Sequence, residues 1–275
     1  MSINLMYHDV TSASADDASG FAGPEAARYK LTPHEFSRHL DRIAGSVTEP
    51  PLADPANVDS SSGKWSITFD DGGVSFATVI ARELERRNWR GWFFITTDFI
   101  GTPSFCTRDQ LRDLHRRGHV IGSHSCSHPE RISNCSRMQI QDEWSRSCAM
   151  LADIVGESIT TASVPGGFYS TEVARAAARA GIKLLFNSEP TTGELFVDGC
   201  RILGRYNIYR GMSASDATSL LTSPLHRWRQ AAFWSAKKAA KTVAGPLYKA
   251  VRQSLLCQAY ANRDIDPTPA GTPRS

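Results

Sequence analysis

The sequence predicts an α/β fold of parallel β-α-β units, and three observations carry that prediction. Short apolar runs alternate with segments of helical composition. A polar cluster follows directly on four of those runs. The chain, at 275 residues, is long enough for one large core.

Ile3 to Tyr7 is apolar and opens the chain as a strand, and Thr11 to Ala27, rich in Ser, Ala, Asp and Gly, reads as a loop. Thr32-Pro33-His34-Glu35 is a capping box with proline at the first helical position, starting a helix that runs to about Ile43. Lys64 to Phe69 is a strand, Ser75 to Asn88 a helix, and Gly91 to Ile95 a strand. Thr107 with Gln110 caps a helix that ends at Gly118, and His119 to Gly122 is a short strand. Ser136 with Gln139 caps a longer helix to about Val155. Ile159 to Val164 is a strand, Thr171 to Ala180 a helix closed by Gly181, and Ile182 to Phe186 a strand. Arg201 to Tyr209 is read as one further strand, followed by a helix near Ser213 to Leu221. Pro224 to Tyr260 is helical in composition and is split by Pro246; the proline-containing tail from Asp264 is expected to be disordered.

Composition narrows the function classes. Hydrophobic residues make up 41% and charged residues 21%, the balance of a soluble globular chain. A net charge of +3 gives no argument for nucleic acid. Six cysteines without a C-x-x-C pair read as reduced thiols rather than a disulfide scaffold. The N-terminus has no charged region followed by a long apolar run, and no stretch of 18 apolar residues exists, so the expected compartment is the cytoplasm.

The four clusters are His8-Asp9 after Asn4 to Tyr7, Asp70-Asp71-Gly72 after Ser66 to Phe69, His124-Ser-Cys-Ser-His128 after Val120 to Ser123, and Pro165-Gly166-Gly167 after Thr161 to Val164. Carboxyl ends of parallel strands are where α/β proteins build their sites, so all four are expected to converge on one face. Asp71, His124 and His128 offer one carboxylate and two imidazoles, a donor set for catalytic zinc or a similar divalent ion. The four-residue spacing of the histidines suggests one side of a helical turn. Asp70 is the candidate general base, because neighbours at a strand end point different ways. Each cluster alone has a plainer reading: Asp-Asp-Gly as a turn, His8 as a core histidine, Pro-Gly-Gly as a loop.

Thr68-Phe69-Asp70-Asp71-Gly72 resembles the first motif of the polysaccharide deacetylase family (NodB homology, carbohydrate esterase 4). His124 to His128 resembles its second, H-[ST]-x-x-H, and Pro165-Gly166 its third, with Ser163 where the family has arginine. The resemblance covers roughly Ser66 to Asn187. It implies a distorted (β/α) barrel with fewer than eight regular units, Asp71, His124 and His128 as metal ligands and Asp70 as base; the expected cofactor is a divalent metal, which the donor set makes Zn2+. The family's late Leu-x-His motif, which supplies the acid, has no match after Phe186; His226 has no strand before it. Tyr7-His8-Asp9-Val10 resembles the circularly permuted poly-N-acetylglucosamine deacetylases, which places the acid at His8. Arg201 and Arg205 are both candidates to replace the missing arginine, and the sequence does not choose between them. The Gly166 N–H is the candidate oxyanion donor.

The expected function is therefore metal-dependent removal of an N-acetyl group from an amino sugar in a saccharide or glycolipid. The alternatives are an O-acetyl esterase on a saccharide and a catalytically silent carbohydrate-binding protein. The expected organisation is a barrel over 1–223, a basic helical extension over 224–262 and a tail over 263–275. The extension lacks acidic residues while holding Trp228, Phe233, Trp234 and Leu247. It reads either as helices packed on the barrel or as a peripheral anchor at the inner membrane surface. His34-Glu35-Phe-Ser-Arg-His39 imitates a zinc-protease motif. Its histidines are five apart, a rotation of about 500° on a helix, and they read as surface residues.

Overall fold

The structure is a computed structural model, and it describes residues 2–12, 14–57 and 64–236. The fold is an α/β distorted barrel. Among the described residues there are nine strands: β1 (Ile3–Tyr7), β2 (Trp65–Phe69), β3 (Trp92–Ile95), β4 (Val120–Ser123), β5 (Thr161–Ser163), β6 (Leu184–Phe186), β7 (Glu194–Val197), β8 (Cys200–Leu203) and β9 (Tyr206–Asn207). They form one sheet in the order β7-β8-β6-β5-β4-β3-β2-β1-β9, parallel throughout except for the antiparallel β7–β8 pair. The helices are α1 (Pro24–Ala27), α2 (Pro33–Ala44), α3 (Ala81–Glu85), α4 (Arg108–Arg116), α5 (Arg137–Val155), α6 (Thr171–Arg179) and α7 (Ala214–Thr222). The capping boxes at Thr32, Thr107 and Ser136 are all formed. The helix leading into α3 begins as a π turn over Phe76–Ile80.

Strands β2 and β3 are buried at every position, which is why they read as continuous apolar runs rather than alternating ones. The period of two assigns their side chains to two cores. Phe69, Phe93, Ile95 and Leu185 join the large core beneath the helices, together with Phe36, Leu40 and Ile43 of α2. Trp92, Phe94, Leu184, Phe186 and Leu203 fill the interior of the curled sheet. Burying a side chain of this size contributes roughly 1.5–3 kcal/mol.

The stretch from Arg201 to Tyr209 is not one strand. It divides into β8, paired with β6, and β9, paired with β1 at the other edge of the sheet. Only Gly204 and Arg205 separate them, a span of at most about 7 Å per two residues. The sheet must therefore curl until its edges meet, and these two residues bridge the seam. Asn4 Nδ2 donates across it to Gly204 O at 2.8 Å. A Cβ at Gly204 would lie 2.4 Å from Glu189 O, so the seam closes only around glycine.

Three further expectations are corrected. The segment read as a loop before Ala27 contains a short 3-10 turn at Asp16–Ala18 and α1. β7 lies between the expected elements. His39 is no surface residue: it is buried, with Tyr7 O–H donating to its Nδ1 at 3.4 Å and its Nε2–H donating to Met212 O at 2.9 Å. Its Nε2 faces the groove between α2 and α7, which α2's amphipathic pattern alone does not reveal. Among the described residues no helix is long and apolar enough to cross a membrane. The helix at 224–236 falls within the expected extension; the remainder of that extension and the expected disordered tail lie outside the described residues.

Candidate metal and catalytic site

The four polar clusters leave the carboxyl ends of β1, β2, β4 and β5, as the alternation of elements requires. At the end of β2, Thr68 and Asp70 share the interior side, while Asp71 turns away with φ +87°. That left-handed backbone is what separates the two carboxylates. The histidine pair is not on a helical turn. Residues after β4 form an irregular loop in which Ser125 and His128 take φ +64° and +53°. The loop is held by Glu143 of α5, whose carboxylate accepts from Cys126 N, Ser127 N and Ser127 Oγ at 2.8, 2.9 and 2.6 Å.

This brings Asp71, His124 and His128 together, with one ligand atom of each within 4.8 Å of the others. His124 Nε2 lies 3.5 Å and His128 Nε2 3.7 Å from Asp71 Oδ1. Ligands at about 2.0–2.2 Å from a shared ion are roughly 3–3.5 Å apart, so the set fits a metal with little adjustment. His124 Nδ1–H donates to Ser163 Oγ at 2.6 Å, which leaves the Nε2 lone pair aimed at Asp71 and the common centre. Burial pushes the Asp71 carboxyl up, but its hydrogen bond to His124 and the charges of His8 and His128 reverse this and hold it well below the carboxylate range. Burial and the neighbouring His124 lower the His128 pKa, favouring the neutral imidazole that a metal requires.

Asp70 lies beside this cluster, its Oδ2 4.0 Å from His124 Nε2. Arg205, wholly buried, grips it with a fork: Nη1 to Oδ1 at 2.6 Å and Nη2 to Oδ2 at 2.7 Å. Ser163 Oγ adds a hydrogen bond to Oδ1 at 3.1 Å. Arg205 is itself fixed by Asn187 O at 2.9 Å and Thr68 Oγ1 at 3.2 Å, and its guanidinium lies over the Phe94 and Phe186 rings. Burial pushes the Asp70 carboxyl up; the Arg205 charge, the His124 and His8 charges and the Arg205 hydrogen bonds together outweigh it, and the group stays ionised below its ordinary value.

His8 is near enough for its charge to lower both aspartates. Its ring packs on Tyr29 with centroids 4.8 Å apart, and its buried Nδ1 has no hydrogen-bond partner among the described residues. Asp9, next in the chain, is buried and accepts from Ser19 Oγ at 2.6 Å and Ser75 Oγ at 2.8 Å, which ties the exit of β1 to neighbouring loops. On the far side Phe21 packs on His128 at 4.8 Å. Lys30 fixes that loop by donating to Asp16 O, Ser19 O and Phe21 O at 2.6, 2.7 and 2.6 Å. In the Pro165–Gly167 turn, Gly166 takes φ +58°, and the turn is closed by Gly167 N–H to Val164 O and Phe168 N–H to Pro165 O. The Gly166 amide takes part in neither bond.

Residues 57–185, just under half of the chain, match the polysaccharide deacetylase family. Over these residues the chain is similar to polysaccharide deacetylase domains. A Bacillus subtilis protein named as a polysaccharide deacetylase, YxkH, is 27% identical over 217 residues, covering 77% of this chain and 72% of that protein. Other curated relatives, chitin deacetylases among them, are matched over less than half of their own length. The Streptococcus pyogenes deacetylase PplD, solved with acetate, superposes with a TM-score of 0.63 at 20% identity, covering 80% of this chain and 97% of that one. IcaB from Ammonifex degensii gives 0.62 at 19%, covering 81% and 97%. These structures share the distorted barrel of this chain.

Within that barrel the departure at Ser163 now has a structural counterpart. Of the two candidate arginines, Arg201 is engaged by Glu194 on the outer hairpin, with Nε–Oε2 and Nη2–Oε1 at 2.8 and 2.7 Å. Arg205 is the one that reaches Asp70. Sequence reasoning found the four clusters but missed Tyr29, Phe21, Lys30 and Glu143, which sit in segments without a motif.

Proposed function

We propose that this chain is a divalent-metal-dependent hydrolase that removes an N-acetyl group from an amino sugar in a saccharide or glycolipid. The observation that carries the reading is the pairing of an ionised, arginine-clamped Asp70 with the Asp71, His124 and His128 donor set beside it. Deacetylase relatives support the saccharide class.

Asp71, His124 and His128 would hold the metal, and two imidazoles with one carboxylate favour zinc. When bound, the ion supplies Lewis acidity at the acetamide carbonyl and acidifies water. Asp70 takes a proton from the attacking water. Its Oδ2 is suited to this, because Oδ1 already accepts from both Arg205 and Ser163. Arg205 fixes the direction of that carboxylate. The Gly166 N–H donates to the oxyanion as the carbonyl becomes tetrahedral. His8 is the proton donor to the departing amine, and the Tyr29 ring packed against it orients the imidazole. The fork from Arg205 supplies what the absent motif-three arginine would do, and this supports an active enzyme over a silent binding protein.

The test is acetate release from N-acetylglucosamine oligomers by zinc-reconstituted protein, beside Asp70→Asn. Release by the parent and not by the variant is expected. No release by a parent that holds zinc would remove the N-deacetylase reading for this sugar.

A further inference from the structure

The helix at 224–236 is amphipathic in an inverted sense. At about 100° per residue, Leu225, Trp228, Arg229, Ala232 and Phe233 fall within an arc of about 140°. That arc faces outward: Leu225 is 53% exposed, Trp228 66% and Phe233 63%. The opposite arc carries His226, Arg227, Gln230, Ala231 and Trp234, all partly buried. It is the polar groups of this inner arc that dock. Arg227 Nη1 donates to Leu220 O and Leu221 O at 2.8 and 3.1 Å, and Gln230 Nε2 donates to Asn207 O at 2.9 Å. A surface helix ordinarily turns its large apolar side chains to the core. Here three of them are turned to the outside, next to an arginine.

Charge chooses the occupant of this face. Between Asp216 and Asp264 the sequence has no acidic residue and eight basic ones: Arg227, Arg229, Lys237, Lys238, Lys241, Lys249, Arg252 and Arg263. The whole chain carries a net +3, so the rest of it sums to −5. Positive charge is thus concentrated on the stretch that begins with the exposed aromatic face. Trp, Phe and Leu beside Arg and Lys match the boundary of an anionic bilayer, where rings enter the headgroup region and cations meet phosphate. A nucleic acid would meet the cations but gain little from an exposed Leu and Phe face.

We infer that residues 224–236 form a peripheral docking face for a membrane surface rich in anionic lipid. Gln230 anchors the helix to β9, which pairs with β1 at Met6, two residues before His8. Docking would therefore hold the His8 end of the barrel close to the lipid headgroups. The inference stands on this surface alone and does not depend on the deacetylase reading.

The full chain is mixed with vesicles of phosphatidylcholine alone and with vesicles containing phosphatidylglycerol, then sedimented. Binding to the anionic vesicles at least about tenfold tighter, and weakened by salt, is expected. The double variant Trp228→Ser with Phe233→Ser removes side chains that are mostly exposed. It should lower affinity about tenfold or more while keeping its thermal melting temperature and its zinc content. Equal binding to both vesicle types, no binding, or unchanged binding by the double variant would overturn the inference. So would a concentration-dependent dimer that the double variant abolishes, since the face would then belong to a second copy of the chain.

Discussion

Arg205 and Asp70 are joined by two hydrogen bonds of 2.6 and 2.7 Å between residues 135 positions apart, and neither side chain is open to solvent. The fork fixes both oxygens of the carboxylate, which a single point charge cannot do. Arg205→Lys keeps the charge and loses the fork, and should reduce kcat about a hundredfold with a smaller effect on KM. Arg205→Met leaves Asp70 buried without its partner and should cost about 3–5 kcal/mol of stability, read by urea denaturation. Arg201→Ala serves as the comparison and should leave kcat within about twofold. A lysine variant with parental kcat would show that the orientation of Asp70 does not limit the reaction.

The same pair explains what the sequence could and could not reveal. Asp70, Asp71, His124, His128 and His8 were legible because each follows an apolar run, and parallel strands deliver their ends to one face. The helix caps at Thr32, Thr107 and Ser136 were legible because their chemistry is local. Arg205 was legible only as one of two candidates, because the choice over Arg201 depends on the seam where β8 and β9 meet opposite edges of the sheet, and edge pairing leaves no local pattern. The histidine loop was misread as helical because a four-residue spacing also suits a turn in which Ser125 and His128 take positive φ.

Ser163 occupies the space between the candidate base and a candidate metal ligand, bonded to Asp70 Oδ1 at 3.1 Å and to His124 Nδ1 at 2.6 Å. Ser163→Ala removes both bonds. His124 Nδ1–H retains Ser163 O at 3.1 Å, so its tautomer should survive and zinc affinity should fall only about tenfold. Competition with a chromogenic chelator measures this. Loss of zinc beyond about a hundredfold would mean that the hydroxyl, not the backbone, fixes the ring.

His8 and the donor set separate in a metal assay. His8→Ala should retain zinc at the parental stoichiometry and lose acetate release by about a hundredfold or more. His128→Ala should lose both. Zinc should also raise the melting temperature of the parent and not of His128→Ala, since an ion that binds only the folded chain stabilises it by mass action. Metal loss in His8→Ala would move His8 from proton donor to ligand.

Two histidines outside the site set an acid limit on stability. His119 Nδ1 accepts from Gly91 N–H at 3.2 Å, and its Nε2–H donates to Glu85 at 2.9 Å, so the ring is neutral and both nitrogens are committed. Burial pushes its pKa down to about 4, and burial lowers that of His39 as well. An unfolded histidine takes its proton near pH ~6.5. Below that pH the unfolded chain gains protons that the folded chain does not accept until about pH 4. Stability contributed by the neutral rings is therefore full above pH ~6.5 and is lost as the pH falls from there toward about 4. The loss should be on the order of 2–3 kcal/mol for His119, read as a falling urea midpoint. His119→Gln should be less stable than the parent at neutral pH but should show a flatter pH dependence. A parent midpoint that stays constant from neutral pH down to pH ~5 would show that these rings titrate alike in the folded and unfolded chains.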